Sequence, residues 1–165
     1  MDMIQNKNMI NLNGKNNMWA KYRHESKQTL VVIGFLVLSA KLCKADGHFN
    51  EIEEEEILKI VPHNSNQKKQ LLKILEEGGN DPNPIEHDAA KIKELIGKDH
   101  PLFLEFIIAA LYRLAYVDDV YSVEEERDIR KVADVFGIKK TLLDKILLYA
   151  GSVVDIRHIL NRKDN

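Results

Sequence analysis

Apolar residues recur at helical spacing through nearly the whole chain, and no segment alternates apolar with polar residues as a half-buried strand would. Ile129, Val132, Ala133 and Phe136 stand at i, i+3, i+4 and i+7, forming one stripe beside the charged face of Glu124, Asp128 and Lys131. Two segments differ in kind. Leu30 to Leu42 is apolar on nearly every side, and Leu102 to Val117 is interrupted only by Glu105 and Arg113. Helices of that type belong at the centre of a bundle. The pattern predicts an all-α fold, a bundle of seven or eight helices near 18–45, 51–61, 65–77, 84–96, 100–117, 123–136, 140–150 and 153–161.

Capping chemistry supports these boundaries. Asn50 precedes Glu53, Asn83 precedes Pro84 and Glu86, and Ser122 precedes Glu125, each with the spacing that lets a cap side chain and an acid satisfy backbone N–H groups reciprocally. Gly47, Gly78 with Gly79, Gly97, Gly137 and Gly151 are placed to close helices in the left-handed region. The stretch Gly78 to Pro84, GGNDPNP, is the predicted long internal loop.

Length bounds the organisation. A chain of 165 residues with 44% apolar content suffices for one buried core. Residues 1–17 are asparagine-rich with few apolar side chains and are expected to form a flexible leader, followed by a single helical domain over 18–161 and a short tail at 162–165. The run Thr29 to Cys43 is broken at Lys41, well short of the roughly 20 apolar residues that a bilayer requires. No transmembrane segment is therefore expected. A net charge of −2 supplies no basic face for nucleic acid. Cys43 is the sole cysteine, which excludes an internal disulfide and fits a reducing, cytoplasmic compartment.

The chain also repeats itself. Asp46, Asn50 and Glu53 align with Asp118, Ser122 and Glu125 at one offset, 72 residues (118 − 46, 122 − 50, 125 − 53). Leu38, Leu42 and Ala45 precede the first turn as Ala110, Leu114 and Val117 precede the second. Each unit is a central helix, an acidic turn and a capped amphipathic helix. Neither can cover its own apolar helix, so the two are expected to pack about an approximate two-fold axis.

An apolar helix ending in Ala45-Asp46-Gly47, then His48-Phe49-Asn50 and Glu53, resembles the tellurite-resistance TerB family and the TerB-like N-terminal domain of the DnaJ-like co-chaperone DjlA. The second unit, Val117 to Glu125 followed by Val132 to Ile138, matches the second half of that pattern, with Asp119 where the first unit has Gly47. The resemblance spans about Tyr22 to Tyr149. It implies a compact helical domain associated with stress response, chaperone recruitment or divalent-metal binding, and a protein partner. Lys98-Asp99-His100-Pro101 lacks the His-Pro-Asp order of a J domain, so stimulation of a chaperone ATPase is not expected.

Two readings of the acidic turns stand side by side. Asp46, Glu53, Asp118 and Glu125 are candidate ligands for a Ca²⁺- or Mg²⁺-type divalent cation, which prefers oxygen donors. Alternatively Asn50, Asn83 and Ser122 cap helices, the glutamates complete the boxes, and no metal is needed. Neither turn is an EF-hand, because the twelfth position is Ile57 or Ile129. The six histidines are dispersed, and no zinc, di-iron, nucleophile-elbow or phosphate-loop motif occurs. The chain reads as a non-enzymatic protein-interaction module, with a divalent-cation sensor or buffer as the alternative.

Overall fold

The computed structural model describes residues 18–44, 50–117 and 122–154. They form eight helices with no strand among the described residues: α1 (Met18–Lys21), α2 (Lys27–Lys44), α3 (Glu51–Ile60), α4 (Ser65–Asn80), α5 (Ile85–Ile96), α6 (Pro101–Tyr116), α7 (Val123–Phe136) and α8 (Lys140–Val154). The all-α expectation is met. No helix among the described residues is long and apolar enough to cross a membrane. The predicted leader and tail, most of the helix expected at 153–161, and Gly47 lie outside the described residues.

The two apolar helices are central, as expected. Leu36, Leu38 and Leu42 of α2 and Ile107, Leu111 and Leu114 of α6 are fully buried. α2 packs against α6, and the amphipathic helices α3 and α7 each lie against both of them. α4 packs beside α2 and α8 beside α6, so the repeat extends to a third helix. The 72-residue offset carries Leu71, Ile74 and Leu75 of α4 onto Leu143, Ile146 and Leu147 of α8, all of which face the core. Two three-helix units are thus related by pseudo-symmetry, and α5 is the helix that connects them.

Four boundaries differ from expectation. The first helix is broken at residues 22–26, because the Ser26 hydroxyl accepts a hydrogen bond from the Thr29 N–H at 3.2 Å and starts α2 afresh. Gly78 and Gly79 lie inside α4 rather than in a loop, and a Cβ on Gly78 would sit 3.1 Å from Val37 Cα, so glycine here permits close helix approach. α8 continues through Gly151, and Gly97 stays right-handed. Among the described glycines the left-handed cap is Gly137, with φ of 75°, whose N–H closes α7 onto Ala133 and Asp134. The fourth concerns Asn83. α5 is preceded by Pro84 with no side-chain cap, and Asn83 is instead turned toward Asp81, whose Oδ1 accepts its N–H at 2.9 Å.

α1 is anchored by its aromatic ring. Gly34 of α2 leaves a notch, and a Cβ there would meet Ile92 Cγ1 at 2.7 Å and Trp19 Cη2 at 2.9 Å. Gly34→Ala tests this fit. Alanine gains roughly 1 kcal/mol over glycine in a helix, against about 1–3 kcal/mol lost to overpacking. A net loss of stability in urea denaturation is expected, with the emission of Trp19, the sole tryptophan, shifted to longer wavelength. Unchanged stability and emission would show that the notch has slack.

Candidate functional site

The acidic turns come first because both copies contain the candidate residues. Asn50 Oδ1 accepts the Glu53 N–H at 2.9 Å, and Glu53 Oε1 accepts the Asn50 N–H at 3.2 Å. In the second unit Ser122 Oγ accepts the Glu125 N–H at 3.1 Å, while Glu125 Oε1 accepts the Ser122 N–H at 3.2 Å and its hydroxyl at 3.1 Å. Both glutamates are buried at the positive end of a helix, where a carboxylate is favoured. Each therefore occupies the same reciprocal capping arrangement. Asp46 and Asp118 lie outside the described residues. Among the described residues no group of three or more histidine, cysteine or acidic side chains is arranged to hold a metal ion. A third box, Asn64 with Gln67, caps α4, and its Asn-x-x-Gln spacing is the sequence signal for it.

A second polar centre was not foreseen at all. Lys41 interrupts the apolar run of α2, and its ammonium donates to Asp81 Oδ1 at 2.8 Å, to the Asn83 carbonyl at 2.7 Å and to Asp88 Oδ2. Both carboxylates are fully buried. Asp88 Oδ1 accepts the Trp19 indole N–H at 2.8 Å, and Asp81 Oδ2 accepts the Met18 N–H at 3.2 Å. Burial holds the Asp88 carboxyl above the ordinary aspartate range, with Lys41 and Trp19 acting against that rise and Asp81 adding to it. The only sequence signal was a lone lysine in a helix apolar all round, which requires a counter-charge from elsewhere.

A groove of about 380 Å³ lies between α2 and the α3–α4 connection, floored by Ile33, Leu36, Leu71 and Ile74. Its rim holds the carboxamides of Gln28, Gln67 and Gln70. The hydroxyls lining it are engaged: Tyr22 donates to Glu77 at 3.1 Å, and Thr29 pairs with Ser26 at 2.9 Å. His63 Nδ1 lies 2.8 Å from the Val61 carbonyl, and Cys43 is buried in the core. Three exposed apolar residues gather elsewhere. Leu102, Phe103 and Phe106 project from the first turns of α6, with the two phenyl centroids 5.6 Å apart.

A family model described as tellurite resistance protein TerB matches residues 32–147, a span from within α2 to within α8. No curated protein and no solved structure matches the chain.

Two measurements address these centres. Lys41→Met leaves two buried carboxylates without their cation and is expected to cost about 3–5 kcal/mol in urea denaturation. With the ammonium gone, burial of Asp88 is unopposed by that cation, and its folded-state carboxyl binds a proton more tightly than the unfolded one. The deficit should therefore be smallest below the ordinary aspartate value and widen as pH rises from there through the raised folded-state value. A deficit independent of pH would show that the acids are not responsible. Calorimetric titration with Ca²⁺ and Mg²⁺ is expected to give no saturable heat, because capping already employs Glu53 and Glu125. Saturable heat lost in Asp46→Asn or Asp118→Asn would make the turns a cation site.

Proposed function

Because the chain belongs to the TerB family through a match over residues 32–147 of 165, we propose that it is a non-enzymatic protein-interaction module serving stress response or chaperone recruitment. One observation carries this reading. Leu102, Phe103 and Phe106 are left in water at the start of a helix whose other faces form the centre of the core. Adjacent large apolar side chains on a surface mark contact sites for other macromolecules. Two further features support it. Glu53 and Glu125 are engaged as caps, and the hydroxyls lining the groove between α2 and the α3–α4 connection are engaged in hydrogen bonds. Neither offers a poised nucleophile beside a base.

In-cell cross-linking of the tagged chain at native expression tests the proposal. One specific protein should be enriched over a tag-only control, and the enrichment should fall several-fold when Leu102 and Phe103 are both replaced by serine. A chain that enriches no protein under those conditions overturns the reading.

A further inference from the structure

The pseudo-symmetry of the two units is incomplete at one place. α5 packs against both α2 and α7, and exchanging the halves carries that pair of helices onto α6 and α3. Among the described helices, α2 alone packs closely against both α3 and α6, so no described helix occupies the position equivalent to α5.

The two sides carry matching cations and differ at the notch, where a phenyl ring takes the place of a glycine. Under α5, Gly34 of α2 receives Ile92, Lys41 of α2 receives Asp88, and Lys131 of α7 faces Glu86 at 3.9 Å. The 72-residue offset places Phe106 on Gly34, Arg113 on Lys41 and Lys59 on Lys131, while Leu102 falls on Leu30. Leu102 and Phe106 are 76% and 51% exposed, and the Arg113 and Lys59 side chains 45% and 72%. Asp128, which sits 3.9 Å from Lys131, has Glu56 as its counterpart. Glu56 lies 3.0 Å from Arg113 and 3.7 Å from Lys59. On the covered side α5 and its preceding loop add three carboxylates, Asp81, Glu86 and Asp88. On the open side two cations share Glu56 alone among the described residues.

We propose that Leu102, Phe106 and Arg113 of α6, with Lys59 of α3, form a docking site for one amphipathic helix of a partner protein. That helix carries acids in its first turn and aliphatic residues four and eight positions after the second acid, as α5 does with Glu86, Asp88, Ile92 and Ile96. Charge complementarity selects it, since acids complete the open cation pair and aliphatic side chains cover the exposed stripe. Segments 1–17 and 155–165 of this chain each carry one more Lys or Arg than Asp or Glu, the wrong sign for a cationic face. The site deepens the interaction reading above and rests on it for its biological meaning.

The probe is a labelled, end-blocked peptide of residues 84–97, cross-linked between positions 90 and 94, both exposed in the fold, to hold it helical. Titrated against the full chain and followed by anisotropy, it should bind saturably and more weakly as salt is raised. Phe106→Asp and Arg113→Glu should each weaken binding at least about tenfold. Both sites are exposed, so the variants should remain folded, which circular dichroism checks. A peptide with Glu86→Lys and Asp88→Lys should fail to bind the unaltered chain.

Absence of saturation, or binding insensitive to both variants, overturns the proposal; the second result would mean that the peptide displaces α5 instead. Sedimentation showing a dimer abolished by Phe106→Asp also overturns it, because a second copy then covers the face. The two ideas fail separately. A cellular partner captured equally by the unaltered chain and both variants leaves the interaction reading standing and removes this face from it. Peptide binding without any cellular partner does the reverse.

Discussion

The fold turns on one ammonium group. Lys41 lies in a helix whose neighbours are almost all buried, and an unpaired charge there would cost several kcal/mol. Its three oxygen partners come from the loop and helix that follow α4, and the same two carboxylates also hold Met18 and Trp19. Satisfying one charge thus places α1, the 81–84 loop and α5 against α2 together. Breaking it leaves a buried pair of like charges, which is why the cation is a structural requirement rather than a surface ornament.

That requirement also explains the departure from symmetry. Both central helices carry a cation at the equivalent position, Lys41 in α2 and Arg113 in α6. Lys41 is drawn into the interior by Asp81 and Asp88, so α5 covers its side of the bundle. Arg113 has Glu56 and stays half exposed. A single connecting helix cannot cover both sides, and the uncovered one retains Leu102 and Phe106 on its surface. Fold and the proposed interaction meet at this point: the face proposed for a partner is the one the connector leaves bare.

The glutamates that follow the acidic turns have a plainer role. Glu53 and Glu125 each accept the N–H of the cap residue three positions earlier, and each lies at the N-terminal end of its helix. A cap contributes about 1 kcal/mol, which gives a stability reason for these residues in both units. The Asn50–Glu53 and Ser122–Glu125 spacings mark duplicated helix starts.

Much of this was legible in the residues alone because the forces concerned act within four positions along the chain. Helical periodicity, the Asn50 and Ser122 boxes, and the central place of the two apolar helices all follow from near neighbours. The 72-residue offset then disclosed the repeat. Local reading failed where a competing local bond or a close contact decided the outcome, as at Ser26, Gly78 and Asn83. It could not pair Lys41 with acids 40 and 47 residues away, or Trp19 with one 69 residues away. In sequence Leu30, Lys41, Leu102 and Arg113 are matched members of two similar helices. Which pair is covered and which meets solvent depends on where α5 comes to rest, and only three-dimensional packing decides that.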